Sequence, residues 1–189
     1  TRLVGSEMCI RDSRYTVETI IKKGGKTIDK YLTPFGIRSV KFDKDKGFFL
    51  NNKHLKLKGM CLHQDAGCLG TAVPDRAYER RLLILKEFGT NAIRCSHNPP
   101  SPEFLNYCDS IGFLVIDEAF DKWKSGYYEE FFDSSWQQDI SDMVIRDRNH
   151  PSVILWSIGN ELAEAKLKDD TGIERAGTVS YTHLRAHET

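Results

Sequence analysis

Usefully arranged cysteine and charge of one sign are both scarce in this chain. Its 189 residues include five cysteines, Cys9, Cys61, Cys68, Cys95 and Cys108. The number is odd and no two are spaced CxxC, which argues against a disulfide framework or a zinc site and fits free thiols in a reduced compartment. Basic and acidic side chains balance at 27 each and are intermixed. No basic stripe therefore offers itself to nucleic acid, and no polybasic patch to a membrane surface. No apolar run approaches the roughly 18 residues of a membrane-spanning helix. With 40% hydrophobic residues the chain can bury a sizeable core.

The two ends differ from the middle. Residues 1–13, TRLVGSEMCIRDS, and 178–189, TVSYTHLRAHET, carry neither helical nor strand periodicity, and the first lacks the apolar core of a signal peptide. Both resemble translated adapter sequence and are set apart as non-native, His183 and His187 with them. Residues 14–52 hold short β-rich runs broken by Gly24-Gly25 and by polar turns, which predicts the last strands of a β-sandwich followed by a small hairpin.

Beyond that point strand and helix patterns alternate. The strand candidates are Leu55–His63, Asn91–Ser96, Phe113–Glu118 and Val153–Glu161, the order expected of βα units around a parallel sheet. Three helices lie between them. In the first, Asp75 is a candidate N-cap, Tyr78, Leu82, Leu85 and Phe88 share a face, and Gly89 supplies a left-handed stop. In the second, Ser101 caps, Pro102 takes the first helical position, Gly112 lies past the end, and Phe104, Leu105 and Cys108 form the buried stripe. In the third, about 129–148, Phe132, Trp136, Ile140, Met143 and Val144 read as a core stripe that needs no ligand-binding role.

Chemistry is sought where polar residues end apolar strands. The four candidates end at His63 and Asp65, at Arg94, His97 and Asn98, at Asp117, Glu118 and Asp121, and at Asn160 and Glu161. In a TIM (β/α)8 barrel all of these converge on the face that carries active sites. The segment RNHPSVILWSIGNE (148–161) is the sharpest case. Its apolar run has the length of a strand buried on both faces and stops at an amide and an acid. An apolar wall raises a carboxyl's proton affinity, which suits a general acid near neutral pH. The plainer reading is that Asn160 and Glu161 cap a following helix.

RNHPSVILWSIGNE resembles the acid/base signature of glycoside hydrolase family 2, which includes β-galactosidases and β-glucuronidases. KGMCLHQD (58–65) and NAIRCSHNPPSPEFLNYCDSIGFLVIDEAFD (91–121) extend the resemblance from about residue 31 to about residue 165. It implies an α/β fold: the first half of a TIM barrel over 41–177, preceded over 14–40 by the end of an immunoglobulin-like β-sandwich. It implies that Glu161 is the proton donor and later general base, that Asn160 binds the sugar 2-hydroxyl, and that Arg94 holds the nucleophilic carboxylate. His63 and His97 then line the sugar pocket, with Asp65 and Asn98 as rim neighbours, while Asp117 and Glu118 support Glu161 or the pocket floor.

The same resemblance marks departures. A retaining enzyme needs a second carboxylate, which the family supplies from its seventh strand, beyond the four read here. Some β-galactosidases carry a magnesium motif, Glu-x-His, where this chain has DEAFDKW, so no metal and no cofactor is expected. The expected partner is a carbohydrate substrate, terminal non-reducing β-D-galactosides before β-glucuronides, with no nucleic acid and no membrane; the full-length protein is expected to form a homo-oligomer. Two other readings stay open. One is a metal-dependent hydrolase using His63, Asp65, His97 and Glu118. The other is a non-catalytic module that stacks sugars on Trp123, Tyr127 and Tyr128.

Overall fold

The computed structural model describes residues 2–5, 14–123 and 125–162. Residues 178–189, with His183 and His187, and Cys9 lie outside the described residues.

The first sheet is antiparallel, with strands β1 (Arg2–Gly5), β2 (Arg14–Lys23) and β3 (Lys26–Gly36) in that order. Gly24 and Gly25 both have positive φ and close the β2–β3 hairpin in two residues, a turn that favours glycine at both positions. β1 falls in the stretch set apart above for lack of periodicity. It nonetheless pairs from Arg2 opposite Glu18 to Gly5 opposite Tyr15, because an edge strand pairs through its backbone and needs no side-chain alternation.

A smaller hairpin follows, β4 (Val40–Asp43), β5 (Gly47–Leu50) and β6 (Lys53–His54). Its turn is set by the Asp43 carboxylate, which accepts from the backbone N–H groups of Asp45 and Lys46 at 3.1 Å each.

The predicted alternation then appears as β7 (Gly59–His63), α1 (Asp75–Glu87), β8 (Ala92–Ser96), α2 (Pro102–Ile111), β9 (Leu114–Glu118), α3 (Glu129–Asp147) and β10 (Val153–Ser157). The four strands form one parallel sheet in the order β10-β9-β8-β7, so all their C-terminal ends lie on one rim. Side chains on one face of the sheet, Ile93, Cys95 and Val115, meet Tyr78 and Leu82 of α1 and Phe104, Leu105 and Cys108 of α2. A second cluster places Phe132, Ile140, Met143 and Val144 of α3 around Phe120 and Trp123. The hairpin joins the start of the sheet through Phe48, Ala92 and Leu114, and the Arg38 guanidinium donates to the Val153 carbonyl there. Full burial of a leucine such as Leu82 or Leu105 stabilises by about 1.5–3 kcal/mol. An exposed helix pair such as Arg76–Glu79 contributes only about 0.2–0.5 kcal/mol, so packing decides how α1 docks.

Local signals hold in α2: Ser101 Oγ accepts from the Phe104 N–H at 3.2 Å, Pro102 opens the helix, and Gly112 ends it at φ 83°. Four readings change. Asp75 is the first helical residue rather than the cap, and acts through its charge beside the N-terminal amides. Phe88 is 84% exposed because the helix stops at Glu87 and the cap residue swings off the buried face. The first parallel strand begins at Gly59, not Leu55, since Leu55 and Leu57 are drawn onto the hairpin core. The last stops at Ser157, with Val153 buried and Leu155 37% exposed in this chain.

Candidate active site

The parallel register sets Arg94 beside Ile116 and Ser157 beside Glu118, which brings three polar side chains together at the rim. Glu118 is their hub. It is fully buried, and its Oε2 accepts from Arg94 Nε at 3.0 Å, Arg94 Nη2 at 2.8 Å and Ser157 Oγ at 2.7 Å. Its Oε1 lies 2.6 Å from His97 Nδ1, an arrangement that assigns the ring hydrogen to Nδ1. Burial works against the Arg94 charge, but Glu118 and the Cys61 thiol outweigh it and hold the guanidinium above the ordinary arginine value. His97 in turn meets His63 edge to face, with ring centroids 5.4 Å apart.

From Arg94 the network runs to the end of β10. Arg94 Nη2 donates to Asn160 Oδ1 at 3.1 Å, and Asn160 donates from Nδ2 to Asp121 Oδ1 at 2.9 Å and from its backbone N–H to the Asp121 carbonyl at 2.7 Å. Asn160 and Lys122 hold the Asp121 carboxyl below the usual carboxylate range. Lys122 Nζ completes the line, 2.9 Å from Asp121 Oδ2 and 3.2 Å from Glu161 Oε2. An arginine, three carboxylates, an amide, an imidazole and a lysine thus form one connected rim, with Glu161 at its outer end.

The setting of Glu161 differs from the expectation. Its side chain is 64% exposed and faces a lysine, so the apolar wall predicted around it is not found among the described residues. Within the rim network the deeply buried acid is Glu118. Glu161 also has φ +48°, a left-handed backbone that costs a non-glycine residue about 1–3 kcal/mol and persists only where neighbours fix it. Gly159, two residues earlier, is closely surrounded: a Cβ there would stand 2.7 Å from Leu162 Cδ2 and 3.1 Å from Trp123 Nε1, so both side chains would have to shift.

Other predicted residues are less engaged. Asn98 donates to Gln64 Oε1 at 2.7 Å on the rim, and Asp65 is exposed, its backbone carbonyl accepting from Arg81. His63 contributes its ring contact with His97. His63, Asp65, His97 and Glu118 do not form a ligand cluster; among the described residues no three His, Cys, Asp or Glu side chains gather as metal ligands. Trp123 is not an exposed stacking residue but fully buried, donating from Nε1 to the Ile158 carbonyl at 2.9 Å. Tyr128 stacks on Phe120 and bonds Asp139, while Tyr127 stands free. An open cavity of about 860 Å³ lies beside the network, lined by His97, Phe120, Asp121, Lys122, Tyr127 and Arg146 among others. That volume suits a small-molecule ligand.

Four participants were not singled out from sequence in these roles: Glu118 as hub, Ser157, Asp121 and Lys122. A hydroxyl within the apolar run VILWSI and an acid closing LVIDE are the available signals for Ser157 and Glu118. Lys122 has none.

Behind the hub, Asp117 is fully buried and no donor reaches its carboxyl oxygens. The group it meets is the carboxyl of Asp147, which Arg146 grips from Nε at 2.7 Å and Nη2 at 2.6 Å. Desolvation first, then the neighbouring Asp147 carboxyl, pushes the Asp117 carboxyl up to about 9, which favours its protonated form at neutral pH. The unfolded chain titrates near about 3.9, so the folded form binds the extra proton between these values and stability falls as pH rises through that window. Asp117→Asn keeps a donor and loses the titration. Its denaturant midpoint is expected to stay flat from pH 5 to 8 while the unmodified chain loses up to about 1.4 kcal/mol per pH unit; parallel curves would remove this assignment.

The chain matches the family described as "Glycosyl hydrolases family 2, TIM barrel domain" over residues 40–173. It belongs to glycosyl hydrolase family 2. This family 2 chain is 49% identical over 172 residues to beta-galactosidase BoGH2A of Bacteroides ovatus, covering 87% of the chain and 20% of that protein. It is 44% identical to a putative beta-glucuronidase of Formosa agariphila, covering 78% of the chain and 15% of that protein. A glycosyl hydrolase family 2 member from Bacteroides cellulosilyticus superposes with a TM-score of 0.80 at 47% identity, over 88% of this chain and 22% of that one. The chain spans about a fifth of the length of the curated relatives it matches.

Proposed function

We propose that this segment is the first half of the catalytic barrel of a retaining β-glycosidase acting on terminal non-reducing β-D-galactosides, and that residues 14–40 are the end of an immunoglobulin-like sandwich. The supporting observation is the continuous polar rim that joins Arg94 and Glu118 to Asn160 and Glu161. Glu161, exposed at its end, protonates the departing glycosidic oxygen and later deprotonates the attacking water. Asn160 presents an amide to the sugar 2-hydroxyl, and Arg94, fixed by Glu118, holds its charge where the nucleophilic carboxylate arrives from the remainder of the barrel. The galactoside reading rests on the similarity to BoGH2A; the relatives named as glucuronidases make the glucuronide the competing substrate.

Two measurements test this. The 189-residue chain alone is expected to give no turnover of aryl β-galactosides, because the four strands supply no nucleophile. The complete polypeptide is expected to hydrolyse β-galactosides at least tenfold faster than β-glucuronides, as kcat/KM, with the β-anomer of the sugar appearing first by NMR. Turnover by the short chain free of host enzyme, or first release of the α-anomer, would sink the reading; a preference for glucuronides would replace the substrate and leave the mechanism.

A further inference from the structure

The loop after β9 grips the end of β10 through two consecutive side chains of opposite charge. Asp121 binds Asn160 twice, through backbone and side chain, and Lys122 bridges from the Asp121 carboxylate to Glu161. Asp121 and then Glu161 hold the Lys122 ammonium above the ordinary lysine value. The two contacts act on neighbouring residues: Asp121 fixes the backbone just before Glu161, whose own φ is +48°, and Lys122 meets its side chain.

We propose that Lys122 is a positioning residue for Glu161: its ammonium, braced by Asp121, holds the Glu161 carboxyl in one place on the rim. The proposal rests on Glu161 being the acid/base. A glutamate side chain has several staggered rotamers, and proton donation falls off when the donor stands away from the leaving oxygen, so a contact that selects one rotamer bears on the acid step. A fixed cation suits this place because it neutralises the carboxylate left after each proton transfer. Arginine preserves the charge on a stem of similar reach, whereas methionine preserves the apolar stem alone.

The test uses the complete enzyme, with kcat/KM measured on glycosides with poor leaving groups and on activated aryl glycosides, and with melting curves to verify folding. Lys122→Met is expected to lose about tenfold on poor leaving groups and less than about twofold on activated ones, since a misplaced group costs most where its proton is needed. Lys122→Arg is expected to recover most of the loss. Glu161→Gln is run in parallel. If Glu161→Gln shows the leaving-group dependence of an acid and Lys122→Met matches the unmodified enzyme, the tether is overturned while the acid/base reading stands. Equal losses on both substrate classes in Lys122→Met would make Lys122 a binding or folding residue. Equal losses in Glu161→Gln would overturn the acid/base reading and the tether with it.

Discussion

Glu161→Gln in the complete enzyme is expected to slow glycosides with poor leaving groups by about 10²–10⁴-fold while activated aryl glycosides keep most of their first-step rate. The range corresponds to about 3–5 kcal/mol of transition-state stabilisation, which is what one positioned proton donor supplies. Phenolate with strong acceptors departs unprotonated, so only the poorer leaving groups need the acid. Glu161→Ala goes further, because it also opens space beside Asn160 and Lys122 for a small anion. Azide is then expected to attack the glycosyl-enzyme without base assistance and to release a β-glycosyl azide of retained configuration. A Glu161 that only capped a helix would show neither effect. An azide product of inverted configuration would mark it as the nucleophile instead.

The alternation of β7 to β10 with three helices was legible because each signal is local and repeated: an apolar run, a cap, a glycine stop. Ser101, Pro102 and Gly112 stand where their chemistry places them, and so do the stripes of Phe104, Leu105 and Cys108 and of Phe132, Ile140 and Met143. Errors collected at element ends. Asp75 yielded its capping place to Pro74, and Leu55 and Leu57 left the strand for the hairpin core, a tertiary pull that no local pattern records. At the site, spacing along the chain gave the strand ends and hence Arg94, His97, Asn160 and Glu161 as neighbours. It did not give the depth of each residue. Glu118 and Asp121 are three residues apart in one motif, yet Glu118 is sealed beneath Arg94, His97 and Ser157 while Asp121 is exposed and bound to Asn160 and Lys122. Trp123 reads as a sugar-stacking residue in KWKSGYY, and only packing against Phe132 and the Ile158 carbonyl shows it to be core.

Removal of the Glu118 carboxylate is expected to have the largest effect on stability. Its two oxygens receive Arg94 twice, Ser157 once and His97 once, and water has no access to replace them. Glu118→Ala therefore takes the acceptor from a guanidinium, a hydroxyl and an imidazole around a cavity; deleting one partner of a fully buried pair costs about 3–5 kcal/mol, and with the Arg94 and His97 side chains 33% and 22% exposed the expected loss is about 2–4 kcal/mol. Against a total stability of about 5–15 kcal/mol, that is enough to leave a large unfolded or aggregated fraction. Glu118→Gln separates charge from shape. The amide keeps the volume and can accept from Arg94 and Ser157 through its oxygen, but its NH2 cannot accept from His97 Nδ1, so folding is expected to survive with a loss of about 1–3 kcal/mol. Catalysis should suffer more than folding. Arg94 loses its counter-charge and with it the geometry that carries Asn160, so kcat/KM in the complete enzyme is expected to fall about 10²-fold on poor and activated leaving groups alike. That uniform loss separates Glu118 from Glu161, whose replacement discriminates between them. Chemical denaturation of both variants, with kinetics of Glu118→Gln on the two substrate classes, decides it: an alanine variant as stable as the unmodified protein would show that the buried hub does not hold the rim together.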